Sequence, residues 1–260
     1  MMRRLLTALT AVLLATATAA CVEAPVDDTA EQTDALSWAD TTARPSFSLW
    51  KGADGQHRFH LRTAKGAVLV TSEGYSARTA ALTGLLSVLD NGGDRARYDL
   101  RAAAGGGSYF NLKAANGAII ATSSIYADAA AAQADLDATI AAVAGYRTAW
   151  ATATGRRFAL RLDTGGKYYW NLHAGNGEIV LRSQRYDGEA AALNGAFSVV
   201  DNGTAAARYQ VLPASGGGYY LNLTATNGQI IGTSEVYASK ANAERARDSI
   251  IALIPTLVLL

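Results

Sequence analysis

The residues of this 260-residue chain with the most direct capacity for chemistry are three histidines, one cysteine and a set of recurring serines and tyrosines. A zinc site draws its ligands from closely spaced His, Cys and carboxylates. His57, His60 and His173 form no such pattern and Cys21 is the sole cysteine, so neither a metal nor a cofactor is expected. A nucleophilic triad needs a serine, a histidine and an acid in mutual contact. Ser72, Ser123, Ser183 and Ser234 instead recur at one place in a repeated pattern, which favours a local backbone hydrogen bond over a nucleophile. Tyr75, Tyr126, Tyr186 and Tyr237 each follow their serine by three residues and read as anchors for the element that comes next. The glycine runs 105–107 and 216–218 lack the lysine of a phosphate loop and join two strand patterns. No catalytic residue is assigned.

Binding chemistry has better candidates. In a strand, residues two apart share a face. Alternation therefore puts Tyr169, Asn171 and His173 together, away from the apolar Trp170 and Leu172. It puts Tyr220, Asn222 and Thr224 on the same face of a later strand, with Ser108 and Lys113 as counterparts in another copy and Trp50 pointing the same way. His60 stands where the other copies carry Asn and reads as a surface strand residue. Aromatics flanked by amides on an uncovered sheet suit a peptide, a glycan or another subunit.

The elements that position these residues come from an internal repeat. Aligned on Gly66, Gly117, Gly177 and Gly228, four copies match across their strands, at intervals of 51, 60 and 51 residues. The Asp-Asn-Gly at 90–92 returns at 201–203, after the helix of copies one and three only, so a pair of copies is the larger unit. Each copy opens on an aromatic (Phe47, Tyr98, Phe158, Tyr209), with Leu49, Leu100, Leu160 and Val211 predicted on the buried face. A Gly-rich turn, a second strand, and a Lys-Gly or Asn-Gly turn of expected type I′ follow. A short apolar third strand leads to the Ser and Tyr and then to an Ala-rich helix. Ser76, Asp128, Asp187 and Ser239 are the expected N-caps. A single βββα unit is too small to bury much, so two are expected to share a six-stranded sheet. The fold class is α+β: tandem βββα repeats, two per domain, antiparallel sheet, helices on one face. The domains fall at 46–143 and 157–255, with 144–156 as linker.

The strings NLKAANGAIIATSSIY and TAKGAVLVTSEGYSARTAALTGLLSVLDNG resemble the YegP-like repeat of bacterial and archaeal proteins, the DUF1508 family. The resemblance covers residues 46 to about 253. It implies an α+β fold in which two βββα units share one sheet, and it brings no established enzymatic activity. Four copies behind an export signal depart from the family's usual small, often cytoplasmic form.

Residues 1–21, MMRRLLTALTAVLLATATAAC, read as a signal peptide (1–20): a basic start, an apolar stretch too short for a membrane span, then small residues. Cys21 after Ala-Ala is the expected site of lipidation in a bacterial lipoprotein. The segment 21–45 carries six acidic residues before Arg44 and reads as a disordered tether. Formal net charge is +1 and no basic stripe is visible, so no nucleic-acid partner is expected. The expected partners are a membrane, through the anchor at Cys21, and an envelope protein or glycan, with self-association through open strand edges as a further route. The function expected is a non-catalytic binding or structural module of the cell envelope, on the outer membrane or periplasmic face, or else secreted. The alternatives are an envelope hydrolase using a position such as His173, or a self-associating scaffold.

Overall fold

The computed structural model describes residues 44–257. The expected signal peptide (1–20), Cys21 and all but the last two residues of the expected tether (21–45) lie outside the described residues. The first half comprises β1 (Ser46–Lys51), β2 (His57–Arg62), β3 (Val68–Ser72), α1 (Arg78–Asn91), β4 (Tyr98–Ala102), β5 (Ser108–Lys113), β6 (Ile119–Thr122) and α2 (Ala129–Thr152). The second comprises β7 (Arg157–Leu162), β8 (Tyr168–His173), β9 (Ile179–Arg182), α3 (Glu189–Asn202), β10 (Tyr209–Pro213), β11 (Tyr219–Thr224), β12 (Ile230–Thr233) and α4 (Lys240–Leu253).

Each half forms one six-stranded antiparallel sheet, in the orders β1-β2-β3-β6-β5-β4 and β10-β11-β12-β9-β8-β7. The two βββα units of a half meet through their third strands. Phe59, Leu61, Phe110 and Leu112 are fully buried beneath the helices of the first sheet, as Leu172, Leu221 and Leu223 are in the second. The halves join helix to helix. Arg78 of α1 donates to Asn194 Oδ1 and Asp201 Oδ2 of α3, both at 2.8 Å, and lies 5.1 Å from the centre of the Phe197 ring. The helical layers thus face one another, the buried apolar residues of both halves form one cluster, and the other face of each sheet is turned outward.

Several local features differ from the reading of the sequence. Residues 144–152, expected in a linker, are the last turns of α2. Tyr146 there is fully buried, edge-on to Phe47 at 5.1 Å, so this stretch belongs to the core of the first half. The Lys-Gly and Asn-Gly turns are not two-residue loops. Gly66 N–H donates to Thr63 O, centring the turn on Ala64-Lys65, and Gly66 follows at φ 86° as a left-handed bulge residue. Gly117, Gly177 and Gly228 repeat this. A separate one-residue register shift lies farther from each turn, between Leu61 and Arg62, Leu112 and Lys113, Leu172 and His173, and Leu223 and Thr224. Asp128 and Ser239 cap α2 and α4 as expected. Helices α1 and α3 start one residue later than predicted, behind Ala77 and Gly188, with no side-chain cap. Leu100, expected on the buried face, is 38 % exposed on the edge strand β4.

Candidate functional site

The recurring serines and tyrosines hold the fold. The N–H groups of Phe59, Phe110, Trp170 and Leu221 donate to Ser72, Ser123, Ser183 and Ser234 Oγ at 2.9–3.0 Å. Each hydroxyl in turn donates to the carbonyl of the next residue at 2.7–2.8 Å. These serines knit the third strand's end to the second strand, and none is near a histidine in the manner of a triad. Each tyrosine exchanges both backbone hydrogen bonds with the first residue of its second strand. The phenol oxygens of Tyr75 and Tyr186 rest on Gly84 and Gly195, where a methyl group would overlap them. Burial raises the pKa of all four tyrosines.

The candidate binding residues do lie on the outward faces. Tyr169, Asn171 and His173 line β8, and Tyr220 and Asn222 line β11, opposite the helices. They are two clusters, not one. Strands β12 and β9 separate β8 from β11, a lateral distance of about 14 Å at the usual strand spacing. Because β8 and β11 run in opposite directions, Tyr169 and Tyr220 sit toward opposite ends of the sheet. Ser108 is corrected: it is buried on the helix side and pairs with Tyr126, and Tyr109 takes the outward position beside Asn111 and Lys113. Trp50 is outward, with its ring 4.2 Å from that of His60.

A polar row crosses the middle of each outward face. In the first sheet it runs Ser48, His60, Thr71, Thr122, Asn111, Asp99. In the second it runs Gln210, Asn222, Thr233, Arg182, Asn171, Ala159. Thr122 and Thr233 hydroxyls donate to Asn111 and Asn222 Oδ1, both at 2.9 Å. At Asn171 the matching threonine is Arg182, whose guanidinium turns to Glu235 at 3.2 Å. Asn171 Oδ1 is left without a partner among the described residues, although Asn171 is only 8 % exposed. His173, 9 % exposed, has Nδ1 at 2.8 Å from Gly177 O, and its buried Nε2 also lacks a partner. Beside β9 and β12 opens a pocket of about 380 Å³, lined by Arg182, Ser183, Gln184, Ile230, Gly232, Thr233 and Ser234.

The outward faces are also basic, which the dispersed sequence positions had hidden. The first sheet presents Arg58, Arg62, Arg101 and Lys113, and Asp99 binds the last two at 2.7–2.8 Å. Lys113, with Arg101 beside it, lowers the pKa of that carboxyl. The second presents Arg157, Arg161 and Arg182 on its strands, with Arg185 stacked 3.7 Å over the Tyr169 ring. Alternation against Phe158, Leu160 and Leu172 was the signal that could have found them.

The sequence matches the family described as Domain of unknown function (DUF1508) four times, over residues 53–99, 103–138, 163–210 and 214–256. UPF0339 protein PA0329 of Pseudomonas aeruginosa is 43 % identical over 94 residues, covering 36 % of this chain and 86 % of its own length. UPF0339 protein YegP of Escherichia coli is 45 % identical over 83 residues, covering 32 % and 76 %. Among solved structures, the solution NMR structure of E. coli yegP, described as a protein of unknown function, aligns with TM-score 0.38 at 34 % identity, covering 41 % of this chain and 93 % of that one. The solution NMR structure of UPF0339 protein SO3888 from Shewanella oneidensis gives 0.36 at 36 % identity, covering 38 % and 84 %. The relatives are thus one repeat pair long, this chain carries two pairs, and it belongs to the DUF1508 family of domains of unknown function.

Proposed function

We propose that the protein is a non-catalytic binding module held at the bacterial cell envelope through a lipidated Cys21, working through its outward sheet faces. The observation that carries the reading is the contrast between the two faces of β8. Its inward residues pack beneath the helices, whereas Tyr169, Asn171 and His173 stand on the opposite face and meet arginines from neighbouring strands. An aromatic, amide and guanidinium surface of this kind is typical of recognition patches. Export and anchoring rest on the N-terminal MMRRLLTALTAVLLATATAAC. No helix among the described residues is long and apolar enough to cross a membrane. The test is cross-linking in intact cells with mass-spectrometric identification, comparing wild type with Cys21→Ser after membrane fractionation. The expected result is a membrane-associated wild type with partners captured through the sheet faces, and loss of membrane association in the variant. A wild type that fractionates with the cytosol would overturn the envelope reading.

A second reading, self-association, draws on the sheet edges. Leu162 on edge strand β7 is 60 % exposed and Leu100 on edge strand β4 is 38 % exposed, both on strands with an unpaired side. Light scattering across a concentration series tests it, and a monomer throughout would rule it out.

A further inference from the structure

We propose that the open edge of the first sheet, strand β4, pairs antiparallel with β4 of a second copy of this chain across a two-fold axis. The pairing deepens the self-association reading and rests on it, and it names the edge, the partner and the register. The strands that end the two sheets are β1, β4, β10 and β7, each the first strand of its copy. The last helix-side position of each strand separates them. It is Lys51 in β1 and Pro213 in β10, but Ala102 in β4 and Leu162 in β7. An inward-pointing lysine would be pressed among apolar side chains by an added strand, and a proline brings no N–H to the ladder. Both edges are thereby blocked, whereas β4 and β7 carry neither device. Leu100, Arg101 and Ala102 are all exposed, so no other part of the described chain covers the β4 edge.

Backbone alternation fixes which groups this edge offers. Ser108 exchanges both backbone hydrogen bonds with Tyr126, on the β6 side, and the Phe110 N–H turns the same way, to Ser123 Oγ. The intervening Tyr109 and Asn111 therefore bond to Arg101 and Asp99. Leu100 and Ala102 are left pointing N–H and C=O away from the sheet. Tyr98 adds its carbonyl, its N–H being spent on Arg95 O. An added strand must set its own outward-turned backbone groups against these. Two copies of β4 can do so centred on Leu100, or slipped to centre on Asp99 or on Arg101.

Charge selects among these registers. Centred on Asp99, carboxylate faces carboxylate, and centred on Arg101, guanidinium faces guanidinium. Centred on Leu100, Asp99 stands opposite the second copy's Arg101, and Arg101 opposite the second copy's Asp99. Opposite charges directly across a strand pair stabilise it, and like charges oppose it. The carboxylate can take the extra bond. Lys113 and Arg101 of its own chain both meet Oδ2, which leaves Oδ1 without a partner among the described residues. On the helix side the exposed Leu100 meets its counterpart. The surface is therefore self-complementary, as a two-fold interface requires. The β7 edge has no such pattern, since its outward residues are Arg157, Ala159 and Arg161. Joining β4 to a second copy's β7 matches Asp99 with Arg161 but sets Arg101 against Ala159, and it leaves an open edge at each end.

The test is sedimentation equilibrium of the full chain carrying Cys21→Ser, so that neither a lipid nor a disulfide can link copies. Asp99→Arg and Arg101→Asp are made separately in that parent. Both side chains lie outside the core, and circular dichroism checks that each variant is folded. The parent is expected to form a dimer at high protein concentration. Each variant alone should dimerise about tenfold more weakly or worse, because both of its cross-edge pairs become like-charged. Mixed in equal amounts, the two variants should dimerise nearly as well as the parent, because each copy then meets the opposite charges. Leu162→Lys, which gives β7 the residue that β1 has at Lys51, should leave the dimer unchanged. Single variants that dimerise as the parent does, or a mixture that stays monomeric, would overturn the β4 pairing. Loss of association in Leu162→Lys would put β7 in the contact, so that the β4 pairing is wrong and self-association stands. A parent that is monomeric at every concentration overturns both.

Discussion

The inward and outward faces of the sheets obey different rules. Inward, the four copies repeat one solution: a serine clasping the second strand, a tyrosine bridged by its backbone, large apolar residues under a helix. Outward, they part. The position held by Asn111, Asn171 and Asn222 is His60 in the first copy, and the threonine that serves two of those asparagines is an arginine beside the third. Packing constrains the inward residues because each must fill a fixed volume at near-crystalline density. The outward residues lie under no helix, although Asn111, Asn171 and Asn222 are buried by their neighbours, so their differences are where a ligand could be distinguished.

Neighbouring residues on one strand offer the sharpest way to break this contrast. Trp170→Ala should cost about 3–5 kcal/mol, since it empties a fully enclosed site beside Phe158. Tyr169→Ala, one residue away and outward, forfeits mainly its stacking with Arg185 and should cost about 1 kcal/mol or less. Urea denaturation of both variants decides it, and comparable losses would show that the outward face is part of the core.

Next in size are the serines. Ser183→Ala strands the buried Trp170 N–H and should cost about 1–3 kcal/mol. Ser72→Ala, Ser123→Ala and Ser234→Ala should give similar losses, because their bonds are superimposable in kind. A single serine whose removal is silent for stability but abolishes ligand binding would contradict the uniform structural role. Gly195→Ala comes after these. Alanine is the better helix former by about 1 kcal/mol. Its methyl, however, would overlap the Tyr186 phenol, and overpacking of this sort costs about 1–3 kcal/mol. A net loss on thermal melting is expected, and a raised melting temperature would mean that the tyrosine yields.

How much of this was readable beforehand follows the same division. Strand order within each copy, the shared six-stranded sheet and the one-sided helices were legible because alternation and glycine spacing are local signals repeated four times. The α2 extension was not, because the reason residues 144–152 stay helical is the distant Phe47 that receives Tyr146. The Asn-Gly turns misled because the dipeptide fits a two-residue hairpin equally well, and the choice depends on which carbonyl the glycine N–H meets. Of the candidate residues, Tyr169, Asn171, His173, Tyr220 and Asn222 were placed on the correct face by alternation alone. Their separation into two clusters, and the arginines that join the first, required the strand order and register, which bring together residues as far apart as Arg157 and Arg182.

The smallest expected effect concerns the place where the inward rule itself is broken. Arg78 and Glu189 occupy equivalent positions at the starts of α1 and α3, and Asp201 and Asp90 are equivalent near their ends. Arg78 therefore meets an acid, and Glu189 faces one of its own sign. Burial raises the pKa of the Glu189 carboxyl above the ordinary 4.5, repulsion from Asp90 raises it further, and Arg147 partly offsets both. A carboxyl whose pKa is higher folded than unfolded binds its proton more tightly in the native state. It costs nothing well below pH 4.5, and the cost grows as pH rises through the folded value. Glu189→Gln should consequently be slightly more stable than wild type at pH 7 and indistinguishable from it at acid pH. Denaturation curves collected across that range would show the two converging as pH falls. A variant less stable at pH 7 would mean that the attraction of Glu189 to Arg147 and to the N-terminus of α3 outweighs its burial and the repulsion, and that the two helical layers are matched as well on this side as they are at Arg78.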